Sequence, residues 1–496
     1  MAIADALSES HTKAEETVVA DQEIEQQKPY RPARWQSNLT ILSCVSASPP
    51  PTKAPTTKSP TDNCFQYIAN FSDGFQNGLA NPTNVIFKHL LGSSGYPSEM
   101  QTRISNSLII GAILGVVVLG YVSDMVSRRA SLVFTSGLVT ISTLMAALAL
   151  QVHPSHNMLW FMVIVRGICG FGVGGEYPPS AAAGLEESDD FKCRYRGPVF
   201  VSFTTLMATL ASPILQIIYL ISLKASNNNL HITFHAIYSI ATILPFTIML
   251  LRFFMADSTL YHNSNFKSSP QNRSWRFYLL LIRRYWPRLL TTSTAFFLYD
   301  FINFPNSIMS STIISSLVKD SNIQTTAIWQ VILAVLPVPG VVLGAYLTNA
   351  IGRRNTGIAG FAGYTVTGFI IGGCFHKLSQ HMAAFVVLYG LLNAFGHMGP
   401  GATIGLISSE SFPTAMRGMG YSVALAFGRT GAAVGTQCFT PLRERGGDSA
   451  TFYLAGGVAV LGMIVYWFLP ESGELDLGEE DRKLEGYLRE NGVVMG

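Results

Sequence analysis

Long apolar runs broken by short polar turns are the feature that most restricts what this chain can fold into. They lie at roughly 105–125, 131–151, 158–182, 197–222 and 233–256, then at roughly 289–318, 327–351, 355–375, 380–409, 416–438 and 450–470. About twenty apolar residues wound as a helix rise roughly 30 Å, the thickness of bilayer hydrocarbon. No water satisfies the backbone there, so such segments must be helical. A weaker run, 64–87, precedes them and brings the number to twelve, and the polar stretch 257–288 divides these six and six. Charged residues make up 13% of the chain and hydrophobic ones 48%, whereas a soluble domain carries about a quarter charged residues. The expected fold is an all-α polytopic membrane protein with twelve transmembrane helices in two six-helix bundles. Its expected divisions are a tail over 1–63, a bundle over 64–256, a central loop over 257–288, a second bundle over 289–470 and a tail over 471–496.

Lysine and arginine set the sidedness. Every second loop is basic: Arg128 and Arg129, then Lys192, Arg194 and Arg196, then the central loop, then Arg353 and Arg354, then Arg417. By the positive-inside rule these loops, and both termini with them, are expected in the cytosol. Residues 1–35 are polar and carry no apolar core of a cleavable signal, so the first span is expected to act as the insertion signal. The six cysteines show no zinc or CxxC spacing and read as free thiols, with no metal and no cofactor implied. A net charge of +3 is too small to suggest nucleic acid. Asn38-Leu39-Thr40 is a glycosylation sequon, unused in a cytosolic tail.

The two halves echo each other. "GYVSDMVSRR" (Gly120–Arg129) returns as "AYLTNAIGRR" (Ala345–Arg354) in the matching loop of the second half, and Arg196-Gly197 returns at almost the same offset as Arg417-Gly418. "FSDGF" around Asp73 has a looser partner, again at nearly that offset, in "LYDFI" around Asp300. Parallel six-span repeats imply alternating access, with cargo held near the midplane where the halves meet.

The loop with Gly120, Asp124, Arg128 and Arg129 resembles the signature of the major facilitator superfamily, departing from it at Met125 and Ser127. The resemblance covers roughly residues 64–472 and implies two pseudo-symmetric bundles. It makes this loop, its echo at Arg353 and Arg354, and the pair Glu410–Arg417 candidate gating latches; a positive-inside loop with no gating role is the other reading. "GFGVGGEYPPSAAAGLEE" (Gly170–Glu187), "LYDFINFPNSIMSSTI" (Leu298–Ile313), "GPGATIGLISSESFPTAMRG" (Gly399–Gly418) and "AFGRTGAAVGT" (Ala426–Thr436) narrow the match. They resemble the proton-coupled phosphate symporters, and among these the fungal glycerophosphoinositol and glycerophosphodiester permeases. Two departures favour the diester branch: Glu176 stands where phosphate carriers usually have aspartate, and Gly401 where they tend to have asparagine. The glycine is expected to leave room for a bulkier cargo.

Ionisable residues inside spans are costly unless paired or set in an aqueous cavity, so each is a candidate site. The set is Asp73, Arg166, Glu176, Asp300 and Arg429. Glu176 is followed by Tyr177 and two prolines that free carbonyls and bend the helix, while the glycines before it offer a helix-packing surface. No strand precedes them, which argues against a dinucleotide loop. Arg166 lies about 15 Å from Glu176 along one helix and cannot pair with it there; helix-bundle ion pair and substrate gate both stay open for it. Asp300 follows Tyr299 and precedes Pro305 and Asn306, the composition of a broken helix lining a cavity. Arg429 stands where the family usually has lysine, and its guanidinium fork suits the two unesterified oxygens of a diester. The expected substrate contacts are Arg429, Asp300, Glu176, Tyr177 and Tyr299, and the expected proton carriers Asp73, Glu176 and Asp300. Asn393 and His397 are polar enough to line a cavity or to bridge helices.

The resemblance implies import of an anionic glycerophosphodiester with a proton, by a monomer in the plasma membrane. Inorganic phosphate as cargo and a transport-inactive sensor or degenerate paralogue are the competing readings. An enzyme is the weakest, since no metal cluster, nucleophile–base pair or phosphate loop occurs in the sequence. Residues 44–63, "CVSASPPPTKAPTTKSPTDN", fall where the first helix should begin and cannot cross a bilayer. They are either an ordinary extension before a span from Cys64 or an insertion that disables it.

Overall fold

The computed structural model describes residues 60–125, 128–190, 196–253, 275–318, 322–472 and 477–491. It divides between Pro60 and Thr61, and the helices below belong to the second unit from Thr61 onward. They are α1 (Pro60–Gly78), α2 (Ala80–Gly95), α3 (Ser98–Met125), α4 (Arg128–Ala147), α5 (Ser155–Asp190), α6 (Arg196–Val201), α7 (Met207–Ala225) and α8 (Leu230–Phe253). Then come α9 (Trp275–Leu317), α10 (Ile323–Val335), α11 (Pro337–Ala350), α12 (Arg353–Leu378), α13 (Met382–Gly396), α14 (Ala402–Glu410), α15 (Thr414–Trp467) and α16 (Leu477–Glu490).

Among the described residues these segments compose twelve crossings. Leu79 joins α1 to α2 without leaving helical geometry, and Leu336 joins α10 to α11 in the same way. A single π turn joins α6 to α7 (Ser202–Leu206) and another joins α13 to α14 (His397–Gly401). Helix α15 holds two crossings, separated at Gly447, whose φ of 73° is open to glycine at little cost. Among the described residues, nine helices are long and apolar enough to span a membrane, one of them the double-length Met416–Trp467. The first and seventh crossings fall outside that group, and they are the two that carry Asp73 and Asp300.

The first crossing is intact. Its helix begins at Pro60, so the run from Cys64 is helical and Pro60–Asn63 form its opening turn. Residues 44–59 lie outside the described part. The expected break at Pro305 is corrected. Helix α9 runs unbroken through Pro305 and starts at Trp275, so 275–288 of the expected central loop is helix. Asn306, beside that proline, donates to Ile302 O and to the Tyr364 hydroxyl while the Tyr389 hydroxyl donates to its carbonyl, a set of bonds that holds the turn in register.

Lipid-facing and internal surfaces separate by residue type. Leu114, Val117, Phe134, Ile141, Ile164, Ile221 and Ile243 are exposed, an arrangement suited to acyl chains rather than water. Inside the first half, α3 and α5 cross at backbone contact. A side chain added at Gly111, Gly115, Gly170 or Gly174 would overlap the opposing backbone, as expected of small residues at membrane helix crossings. The second half repeats the device where Gly431 and Gly435 of α15 meet the backbone of Phe297 and Phe301 on α9.

The expected C-terminal tail contains α16, which packs Leu484 and Leu488 against Phe277, Leu281 and Phe412. Arg288 fixes the arrangement by donating to Glu480 at 3.0 Å and to Ser411 O at 3.1 Å.

Replacing Gly170 with valine is expected to prevent α3 and α5 from meeting and to abolish a monodisperse detergent-solubilised species on gel filtration. A variant with the elution profile and melting temperature of the parent would contradict this crossing.

Candidate functional site

A cavity of about 310 Å³ lies between the two halves. Asp73 reaches it from α1, Arg166 and Tyr177 from α5, Tyr299 and Asp300 from α9, and Arg429 from α15. Both π turns also face it, through Thr204 and Thr205 on one side and His397 and Gly401 on the other. A π turn displaces a carbonyl from its helical partner, and the Gly401 carbonyl accepts from the Thr205 hydroxyl at 3.1 Å, across the two halves. Asn393 lines the cavity too, and the His397 ring Nδ1 lies 3.0 Å from its carbonyl.

The electrostatic centre is Arg429 with Asp300. Arg429 Nη1 lies 3.6 Å from Asp300 Oδ2, an ion pair longer than a good hydrogen bond. The guanidinium lies over two aromatic rings, 4.9 Å from the Tyr177 centroid and 4.6 Å from that of Phe304. Gly428 leaves the approach uncrowded, because a β-carbon there would stand 3.0 Å from Phe296 Cβ and 3.1 Å from Asp300 Oδ2. Asp300 Oδ2 and Arg429 Nε are buried with no hydrogen-bond partner. The pair is therefore held in place with bonding capacity unspent. Asp73 is 3% exposed, and its Oδ2 is likewise without a hydrogen bond. Asn77 ties its neighbourhood to the aromatic wall, donating to Asp73 O at 2.8 Å and to the Tyr177 hydroxyl at 3.4 Å.

Arg166 is 3% exposed and donates from Nε to Ile104 O at 3.3 Å. Among the described residues it makes no ion pair. The cavity thus holds one buried guanidinium loosely paired in the second half and another unpaired by carboxylate in the first.

Glu176 is placed differently from the expectation. It is absent from the cavity lining, and its carboxylate is held from both sides by Arg252 of α8, at 2.7 Å (Nη1–Oε1) and 3.1 Å (Nη2–Oε2). Thr135 donates to Oε1 at 3.3 Å, and Arg252 also donates to Leu132 O at 2.9 Å. Both side chains are almost wholly buried. The extra methylene of glutamate over aspartate thus serves a closed bidentate pair rather than a larger cargo. The room expected beside Gly401 is also taken, since a β-carbon there would stand 2.6 Å from the Tyr299 hydroxyl. Arg252 is the residue that sequence reasoning missed. Its position in the last turn of an apolar span reads as a loop flank, although a lone arginine in "TIMLLRFFM" was the available signal.

The candidate latch residues of the second half lie in a defined set of contacts. Glu410 lies 3.5 Å from Arg353 Nε and accepts from the Ser472 hydroxyl at 2.6 Å, so Arg353 is a cationic partner that the sequence did not indicate. Glu471 caps the first turn of α12 by accepting from the backbone N–H of Arg353 and Arg354, at 2.7 and 3.1 Å. Arg417 lies half-buried in the first turn of α15. Of the first-half loop, Gly120 and Asp124 end α3 while Arg128 and Arg129 open α4; their side chains lie outside the described part.

A twelve-crossing bundle with a charged cavity between two half-repeats defines a multi-pass membrane protein of the transporter class, and comparison with known proteins narrows it. Residues 65–484 match the family described as Sugar (and other) transporter. The MFS-type transporter lnaF of Aspergillus flavus is 74% identical over 466 residues, 94% of this chain and 90% of that one. Glycerophosphoinositol transporter 1 of Saccharomyces cerevisiae is 37% identical over 429 residues, 86% of this chain and 82% of that one. Among solved structures, the proton:xylose symporter XylE of the major facilitator superfamily aligns with a TM-score of 0.68 at 18% identity, covering 86% of this chain and 98% of that one. The chain belongs to the Sugar (and other) transporter family, with the major facilitator fold.

Removing one member of a buried ion pair leaves a bare charge and costs about 3–5 kcal/mol. Glu176→Gln alone is therefore expected to lower thermal stability sharply, and Glu176→Gln with Arg252→Gln to recover part of the loss. Additive losses in a thermal-melt cycle of the four proteins would show that the two side chains do not act as a pair.

Proposed function

We propose that this protein imports a glycerophosphodiester together with a proton, by alternating access of its two halves. The observation that carries the reading is the loose Arg429–Asp300 pair in a cavity shared by both halves. It is joined by the relatives' names, several of which are glycerophosphoinositol or glycerophosphodiester carriers.

The chemistry is a competition for Arg429. With Asp300 ionised, the guanidinium faces a carboxylate and an incoming phosphodiester meets repulsion. Protonating Asp300 removes that charge and leaves the fork open to the two unesterified oxygens of the diester, a geometry that an arginine meets with two parallel hydrogen bonds. Arg166 supplies a second positive group from the opposite half, so the anion draws the halves together around itself. Asp73, buried with an unsatisfied oxygen, is a second proton carrier. Once the proton leaves to the less acidic side, the restored carboxylate competes with the anion for Arg429 and expels it. Glu176, fixed by Arg252, holds α5 to α8 throughout the cycle.

The basic loops and both termini face the cytosol in this reading, and the membrane is the plasma membrane. The protein acts as a monomer, and Arg353–Glu410 is a latch at the cytosolic end. One observation favours the competing cargo, inorganic phosphate: Tyr299 fills the space beside Gly401.

Uptake of labelled glycerophosphoinositol, glycerophosphocholine and phosphate, in cells lacking their own carriers, tests the reading. Glycerophosphodiester uptake is expected to rise as external pH falls, because the loading step consumes a proton. Asp300→Asn is expected to abolish accumulation and its pH response. Arg429→Lys is expected to raise KM by about tenfold, the loss of one charge-assisted bond. Uptake of phosphate alone, or diester accumulation indifferent to pH, would sink it.

A further inference from the structure

A second cavity, of about 390 Å³, lies beyond the first. Ser98, Gln101, Thr102, Thr312 and Thr440, which line it, stand at the helix ends remote from the basic loops. The two cavities share Ser105 and Ile308, so the septum between them is about one side chain thick. Within the second cavity, one turn from Ser105, two hydrogen bonds cross from the first half to the second. Gln101 donates to Thr312, and the hydroxyls of Thr102 and Thr440 are 2.8 Å apart. Both bonds join neutral groups, whose net contribution is modest.

The charges in this cavity are unevenly settled. Arg443 is bound to Asp448, and Glu444 sits exposed at the rim, where solvent screens it. Lys88 on α2 is half-buried and makes no ion pair among the described residues, and the neighbouring Arg443 is a like charge that acts on it. The cavity therefore holds an ammonium without a carboxylate partner, beside a Thr312 hydroxyl that accepts from Gln101 and has its own hydrogen to give.

We propose that this second cavity is an anion-capture site at the outer mouth, where Lys88 and the Thr312 hydroxyl, which accepts from Gln101 and keeps its own hydrogen, hold the phosphodiester before the septum opens. The identity of the anion rests on the function proposed above; the capture of an anion does not. Behind the septum, Arg166 and then Arg429 are the next positive groups, so cargo passes from one cation to another without crossing an apolar stretch unaccompanied. Single charges at the mouth of a cleft act mainly on the rate of encounter, and their effect fades as salt rises.

Two measurements test this. In uptake of labelled glycerophosphoinositol at low ionic strength, Lys88→Gln is expected to raise KM about three- to tenfold and Lys88→Glu further. The difference should shrink at high salt and should not be followed by the KM of efflux from the cytosolic side. The second measurement needs no cargo. In a Cys374→Ser, Cys438→Ser background, Ser98→Cys is reacted from outside with an anionic and a cationic methanethiosulfonate. The anionic reagent is expected to react faster, and adding Lys88→Gln to remove that preference. Equal rates for the two reagents, or a preference that survives Lys88→Gln, would overturn the capture site whatever the cargo is. If the reagents behave as expected and glycerophosphoinositol is not taken up, the capture site stands and the cargo is wrong. An unchanged KM for both Lys88 variants, with wild-type uptake intact, would also overturn it.

Discussion

A charge held away from water must be answered by another charge, by hydrogen bonds or by a wet cavity, and most of what is distinctive in this structure follows from how each one is answered. Glu176 and Arg252 answer each other completely. Two short bonds, a threonine hydroxyl and a backbone carbonyl leave neither with a reason to move. Asp300 and Arg429 answer each other incompletely, at 3.6 Å with a carboxylate oxygen and a guanidinium N–H unbonded. The first pair binds two helices of one half. The second is suited to exchange partners, and it lies where the halves meet.

Close helix crossings make that contrast possible. The small residues of α3 and α5, and of α15 against α9, bring backbones into contact and take up the packing energy that a membrane protein cannot draw from water. At the seam between the two halves the contacts are of a different kind. That seam is bridged by single polar contacts: the Thr205 hydroxyl on the Gly401 carbonyl, the Thr102 hydroxyl against that of Thr440, and Asn81 donating to Ser307 O at 3.2 Å. Small apolar clusters also cross it, Ala80 and Ile109 with Ile308 and Ala432, and Val201 and Leu206 with Val341 and Ala402.

Architecture was legible in the sequence because its signal is collective. Twelve runs of apolar residues, a basic loop after every second one and a nearly constant offset between the echoed motifs leave little freedom for the fold. Asp73, Asp300, Arg429, Tyr177 and Tyr299 were legible as a group because a polar residue in a membrane span is rare, and the structure gathers all five around one cavity. What stayed hidden was pairing. Glu176 and Arg252 are 76 positions apart and meet only because α5 and α8 both pack on α4. The two π turns also left no trace, since a one-residue change in hydrogen-bond register needs no particular composition. Pro305 misled in the opposite direction: proline marks a lost donor, but the helix closes over it when neighbours such as Asn306, Tyr364 and Tyr389 supply bonds.

Glu176 shows why a residue type at a familiar place is a weak guide to cargo. Lengthening aspartate to glutamate changes reach by about one carbon–carbon bond, and what that reach touches is decided by the side chain across the gap. Here the gap holds Arg252, whereas the adjacent Tyr177 faces the cavity and carries Arg429 over its ring. Two neighbouring residues of one motif thus serve different ends, one fixing a helix pair and the other shaping the site. The surfaces around Arg429 are Tyr177 and Phe304 on its faces and Tyr299 beside Gly401, all of them aromatic rings with few polar atoms. Such walls hold the Arg429 guanidinium in one orientation with Nε unbonded and Asp300 as its loose partner, so the unspent bonding capacity of this wall lies at that pair.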